Sequence, residues 1–541
     1  MDELDELSER FWAWRARQQP RTRDDIPRLD RPPGWVPETD PALADRRAAE
    51  LEAFKAELGR IRTGRGDVAD RVDHRLLTSA MSRVEWESDI LRVRSIPRFW
   101  VDQALGPVFD ALLRPGVDAP RIAEVARLLR AAPQTLSRAS HALSSPAREF
   151  AELAVAELDG ITDRVDACVD ALARIDPLAP ARLKAELTAA AAEAAAALEA
   201  LRAHLVAAMP ALPAAQPVGR HGYEWFLREV ACVPLTIDEI TATGRREYER
   251  AVWLELLHRN RNRGLPAPAL PADAAEQART EARDEESVRR FYAERGLLSQ
   301  PSWLRRYRTA PMPDYLEPLR FLGMADDLTG PRRLTEDGVA YVPQPGPGLP
   351  YFYAANARDP RAGIIHEGVH YQQLALAWRH PRPIRRHYYD SGANEGIAFY
   401  NEEMMLVSGL LDDAPHTRTA VCNFMRLRAL RVTVDVGLAT GELSITQAAA
   451  DLAAKVPMDD ATASEEAAFF AETPGQALTY QIGKTQLISL IADAVHARGA
   501  DLDLTSLHDA VWLNGNVPFA LLRWELLGLT DELAALGIDT D

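Results

Sequence analysis

The stretch Ile365-His366-Glu367-Gly368-Val369-His370-Tyr371-Gln372-Gln373 (IHEGVHYQQ) decides how this chain of 541 residues is read. Two histidines four apart on a helix lie one turn from each other on the same face. Their imidazoles can then converge on one ion, about 2.0–2.1 Å from each nitrogen for zinc. Glu367 follows the first histidine and turns partly aside, so it can serve a reacting water without being a ligand. Asp359-Pro360 supplies a cap and a proline at the first helical position. Ile364, Ile365, Val369, Leu374, Leu376 and Trp378 carry the apolar pattern onward, and His380-Pro381 stops it. One continuous helix from Asp359 to His380 is expected.

A catalytic zinc takes three protein ligands and keeps one position for water. The next helix opens at Asp390-Ser391-Gly392 and runs on as ANEGIAFYNEEMM, with Glu395 near its start and 24 residues between it and His370. Two antiparallel helices can bring Glu395 over the histidine face, and Gly396 permits a close helix approach. Glu402 and Glu403 are rivals two turns further on, and otherwise read as a solvated acidic face.

Outward from this pair, helical spacing dominates. Pro-rich punctuation at RPPGWVPETDP and MPALPAAQPVG divides the chain into an N-terminal extension (1–44), a helical lobe (45–215) and a catalytic helical lobe (216–541). Ala181 to Ala208 reads as a long helix of strong formers. GLPAPALPADA reads as an exposed loop. Leu349 to Ala354, after YVPQPGPG, reads as a short edge strand. The fold class that follows is mostly α and two-lobed, with a small sheet beside the His-Glu-x-x-His helix.

A net charge of −17, with basic residues intermixed among acids, argues against a nucleic-acid surface. Cys168, Cys232 and Cys422 stand too far apart for a disulfide framework or a thiolate metal site, and read as buried thiols. The N-terminus is acidic and shows no apolar signal segment. The most apolar stretch, Leu187 to Leu205, is broken by Glu193, Glu199 and Arg202. These features lead to the expectation of a cytoplasmic protein with no membrane or nucleic-acid partner.

The HEG…LALA helix, the segment NEGIAFYNEEMM, and the later RLRALRVTVDVGL and PGQALTYQIGK, taken in that order, resemble the bacterial family known as domain of unknown function 885. The likeness runs from about residue 45 to the C-terminus. The resemblance implies a gluzincin-type zinc metallopeptidase, similar in architecture to helical oligopeptidases. It implies His366, His370 and Glu395 as zinc ligands, Glu367 as the base, and Arg431, Asp435, Gln476 and Tyr480 in the outer wall of the site. Two positions depart from the family pattern. Family members read His-Glu-x-x-Pro-Gly-His-His, where this chain has Gln372 and Gln373 and carries its second histidine at His370. A histidine commonly follows the VD-x-GL segment, where this chain has Ala439.

Further candidates come from the residues themselves. The linker RHPRPIRRHYYDSG could clamp a substrate carboxylate, with His387 and Tyr388 nearest to Glu395. Arg428 and Arg431 could meet substrate or pair with acids such as Asp435. The Tyr480 hydroxyl could stabilise an oxyanion. The expected activity is zinc-dependent hydrolysis of an amide bond in a short peptide or amino-acid derivative. His/His/Glu ligation is also compatible with manganese or iron. Two alternatives stay open: a metal-dependent biosynthetic enzyme acting on a non-peptide small molecule, and a catalytically silent helical scaffold.

Overall fold

The computed structural model describes residues 3–18, 20–21, 29–62, 67–175, 180–456 and 458–540. Two large apolar cores organise them. The first is built chiefly from five helices in chain order, Pro97–Leu113, Ala119–Ser137, Arg148–Glu157, Ile161–Arg174 and Ala181–Ala208, and is joined by Leu316, Leu319 and Tyr341. The last of these helices buries Leu187, Ala190, Ala191, Ala194, Ala195, Leu198, Leu201 and Leu205, which recur at the helical period. Its small alanines let the helix Ala119–Ser137 lie alongside. That partner begins at Asp118, whose carboxylate accepts the Arg121 amide at 2.9 Å.

The second core joins distant parts of the chain. Leu7 and Phe11 of the helix Glu3–Gln18 share it with Ile365, Val369 and Met405 from the central segments, and with Leu487, Trp512 and Leu521 from the C-terminal ones. A buried ion-pair cluster ties the same parts together: Arg385, 1% exposed, donates to Asp73 at 2.7 Å and to Glu525 at 2.9 Å.

The structure is mostly helical, as the spacing predicts, with a small sheet beside the His-Glu-x-x-His helix. The sheet has three strands in the order β1 (Tyr307–Pro311), β3 (Gly338–Val342), β2 (Asp326–Asp327). β1 is parallel and β2 antiparallel to β3. Tyr307 of β1 stacks on Tyr371 with ring centroids 5.8 Å apart. A Cβ at position 338 would stand 2.6 Å from the Tyr371 ring, so only glycine lets β3 approach that helix.

Two local expectations need correction. Leu349–Ala354 is not a strand: Pro350 caps the helix Tyr351–Arg358, and Tyr351 and Phe352 pack their rings on Phe424. The helix expected from Asp359 to His380 is broken in two, Arg361–Ile364 and Glu367–Trp378. The cause is local. The Ile365 carbonyl accepts from the Asn401 side chain at 2.7 Å, while Val369 and His370 both turn their amides to the His366 carbonyl. Asn401 is itself fixed by the Tyr292 hydroxyl at 2.9 Å.

Candidate metal centre

His366, at the break, and His370, one turn into the helix Glu367–Trp378, both aim Nε2 at the same oxygen. Each lies 3.4 Å from Oε2 of Glu395. Glu395 stands on the helix Ser391–Val407, capped by Asp390, which accepts the Ala393 amide at 2.8 Å. All three side chains are buried, and their ligand atoms lie within 4.8 Å of one another. Ligands 2.0–2.1 Å from a tetrahedral ion are spaced roughly 3.3–3.4 Å apart, which the two histidine-to-glutamate distances match. Oε2 of Glu395 has no hydrogen-bond donor, so a buried anionic oxygen is left facing two imidazoles. A His/His/Glu donor set of this spacing fits a divalent cation of the zinc type.

The groups behind the ligands orient them. Nδ1 of His366 lies 2.7 Å from Oε1 of Glu402, and Arg428 holds both Glu402 oxygens at 2.9 Å. The Asn394 side-chain amide lies 2.9 Å from Nδ1 of His370. The atom that faces Nδ1 is the amide nitrogen, while Asn394 Oδ1 has no partner; turning the amide over would let its oxygen accept Nδ1–H and free the Nε2 lone pair for a cation. Burial and Arg428 both lower the His366 pKa, but the nearby carboxylates of Glu395 and Glu402 outweigh them and raise it to about 9. Burial pushes Glu395 up, yet His370 and His366 hold it well below the ordinary carboxylate range.

Glu402 therefore corrects the reading of a solvated acidic face: it is 1% exposed and locked between His366 and Arg428. Glu403 does point elsewhere, pairing with Arg250 and, at 2.9 Å, with the buried Lys484. Gly396 makes the expected close approach, but against Gly483 of the helix Thr479–Arg498; a Cβ at 396 would lie 2.6 Å from the Gly483 carbonyl carbon.

Tyr480 comes to the centre, stacked on the His366 ring with centroids 6.2 Å apart. The Arg428 and Arg431 guanidiniums lie 5.4 and 5.0 Å from the Tyr480 ring centroid. Arg431 is also tied by a forked contact to Glu466, so its charge is matched within the wall. Asp435 is fully buried and accepts the Gly475 amide at 2.9 Å, the Leu478 amide at 3.0 Å and the Tyr223 hydroxyl at 3.1 Å. It clips the turn that presents Gln476 and Tyr480 and does not itself face the site. Gln476 lines a cavity together with Ser391 and Thr479.

His387 and Tyr388 are not brought to the site. The His387 ring packs between Trp12 and Trp378, at 5.8 and 5.7 Å. The Tyr388 hydroxyl is buried 2.9 Å from that of Ser79. The short helix Pro383–His387 turns His387 against the helix Glu3–Gln18, and Tyr388, just after it, against the helix Val68–Glu85. Ala439 is buried among Val432, Val436 and Ile482. Gln373 is wholly buried and Gln372 nearly so, the latter meeting Gln300 at 3.5 Å.

Sequence reasoning missed the opposite wall. Asp326 of β2 is raised to about 7, first by burial and then by the charge of Glu367, and its carboxylate accepts the Tyr307 hydroxyl at 3.3 Å. Burial first, and the charges of Asp326 and Glu367 after it, also raise the hydroxyls of Tyr307 on β1 and Tyr353 on the helix Tyr351–Arg358. No spacing in the chain links Asp326 to residue 367. Glu402 did carry a signal: it lies seven residues, two turns, after Glu395 on the same helix face.

The chain belongs to a bacterial protein family of unknown function, DUF885, whose model matches residues 33–526. No curated protein sequence matches it. Solved structures share its fold, two of them as follows. One is described as a "putative lipoprotein of unknown function" from Shewanella oneidensis, with TM-score 0.69 and 15% identity, covering 97% of this chain and 100% of that one. The other is described as a "putative lipoprotein" from Colwellia psychrerythraea, with TM-score 0.72 and 16% identity, covering 97% and 98%. These relatives overturn the expectation of a cytoplasmic protein, because the fold occurs in proteins described as lipoproteins. Among the described residues, no helix is long and apolar enough to cross a membrane.

Proposed function

We propose, from membership of that family and the geometry of its buried centre, that the chain is a zinc-dependent hydrolase of the gluzincin type. It would cleave an amide bond in a short peptide or amino-acid derivative. The observation that carries this reading is the convergence of His366 and His370 on one Glu395 oxygen, 3.4 Å from each. His366, His370 and Glu395 would hold the ion, which when bound supplies Lewis-acid polarisation of a carbonyl and a more acidic water.

The remaining work falls to the chain's own groups. Glu367 begins the helix just after His366 and is not part of the converging set. Its carboxylate takes the proton from the attacking water and returns it to the leaving amine. Glu402 and Asn394 fix the two imidazole orientations. Burial, followed by the charge of Glu395, keeps the Tyr480 hydroxyl protonated far above neutral pH, so it can donate to an oxygen that gains negative charge. Arg428 and Arg431 flank its ring and add positive potential on that side. Metal analysis of the purified protein, paired with digestion of a peptide library, tests this reading. One zinc per chain and cleavage dependent on Glu367 are expected. A metal-free active enzyme, or a zinc-loaded chain that cleaves nothing in the library, would overturn it.

A further inference from the structure

A cavity of about 90 Å³ is walled in part by the starts of the two helices that carry Glu395 and Tyr480. Ser391, at the start of the helix that carries Glu395, and Thr479, next to Tyr480, both belong to its wall. Ser391 and Glu395 are four residues apart on one helix face, about 6 Å along the axis. The Ser391 hydroxyl donates to Thr479 Oγ1 at 3.3 Å, so the two helices meet at the cavity edge. None of the metal-holding side chains lines the cavity. It is a side pocket one helical turn from them.

Its chemistry selects the guest. Trp86, Leu91, Val93, Ile96, Phe99 and Phe226 give it apolar walls. Trp86 and Phe226, with ring centroids 4.8 Å apart, each open a single π turn (Trp86–Ile90 and Phe226–Val230), a rare geometry that gathers at functional sites. The charges in the wall are already matched. Arg98 sits between Glu157 and Glu472, Arg21 donates to Asp110 at 2.9 Å, and Glu87 lies 3.8 Å from Arg15. Arg83, Asp102 and Asp390 are engaged as well. A charged guest would lose its hydration with no unpaired counter-charge to meet, whereas an apolar guest gains by leaving water.

We propose that this cavity receives a large apolar side chain of the substrate, aromatic by preference, on a residue adjoining the amide that is cleaved. The proposal deepens the hydrolase reading above and rests on it. Substrate length, charge and the second flanking residue are left to other surfaces.

The test uses the zinc-loaded full chain and matched blocked dipeptides that differ only in one flanking residue: phenylalanine, alanine or glutamate. The phenylalanine substrate should exceed the alanine one in kcat/KM by about tenfold or more, through KM, with glutamate the poorest. Ile96→Trp and, separately, Val93→Phe fill the cavity and should bring the phenylalanine-to-alanine ratio close to one. Each variant is first checked for unchanged zinc content and cooperative melting. A second arm is independent of turnover: calorimetric binding of N-acetylphenylalanine amide to the Glu367→Gln variant, weakened by adding Ile96→Trp. If turnover occurs without a phenylalanine preference, or if the preference survives both folded variants, the pocket proposal fails and the hydrolase reading stands. If nothing is cleaved yet the probe binds and Ile96→Trp abolishes binding, the pocket stands as an apolar ligand site and the hydrolase reading fails.

Discussion

Leu198 and Glu395 are both buried in helices, and their surroundings differ in kind. Leu198 is fully buried among alanines and leucines of the helical set Pro97–Ala208, in a core built from apolar side chains. Glu395 is surrounded by His366, His370, Asn394, Glu402 and Arg428, a polar cluster in which most members face a specific partner. The first region gains stability from every buried group. The second takes charges out of water, which is costly unless they are paired, and leaves one anionic oxygen without a donor. Stability and function are thus separable in this molecule, and substitutions can push the two regions apart or show them to be coupled.

The largest effect is expected from the double variant His366→Ala/His370→Ala. It removes two of three ligands, so stoichiometric metal and turnover should both vanish, while the helical set Pro97–Ala208 keeps its circular dichroism signal. A double variant that still co-purifies with one tightly held zinc would show that the ion belongs elsewhere. Glu367→Gln cuts more finely. Metal content should stay at one per chain, while turnover falls by about 10²–10⁴, the usual share of a positioned general base. Full turnover at full occupancy would remove Glu367 from the chemistry.

Leu198→Ala tests the other side of the comparison. It deletes a fully buried side chain far from any polar network and should cost about 2–5 kcal/mol in a urea titration. Zinc stoichiometry and KM, measured below the transition, should not move. A loss of zinc in a folded Leu198→Ala protein would mean that the helical core and the metal centre are coupled.

The contrast also explains what the chain disclosed before its structure. The core of Ala181–Ala208 was legible because burial there follows the 3.6-residue period, and nothing but period decides it. The His366/His370/Glu395 set was legible because two ligands are local and the third opens the next helix. The break at His366 was not, since it is made by Asn401, a side chain 36 residues ahead that captures the Ile365 carbonyl. Asp326 was hidden for the same reason, on a two-residue strand whose place is set by pairing with β3. His387 and Tyr388 misled because nearness in sequence to Glu395 was taken for nearness in space; the short helix Pro383–His387 turns them toward Trp12 and Ser79.

The smallest effect expected is also the sharpest, because it compares two neighbours. Glu402 and Glu403 are adjacent in sequence and both carry a buried cation's charge, Arg428 for one and Lys484 for the other. Only Glu402 touches a ligand, at 2.7 Å from Nδ1 of His366. Glu402→Gln preserves the shape and can still accept Nδ1–H, but it removes the anion that makes the imidazole a better donor to a cation and leaves Arg428 without its counter-charge. Zinc affinity, measured by competition with a chelator, should weaken by about 10–100-fold. At saturating zinc, turnover should recover most of its value, since Glu367 and Tyr480 are untouched. Glu403→Gln serves as the control. It weakens the contacts to Arg250 and Lys484, so the denaturation midpoint should fall, while zinc affinity stays at the wild-type value. If the two variants shift zinc affinity equally, Glu402 acts through general packing, and the division between a polar centre tuned for binding and an apolar core tuned for stability does not hold at this helix.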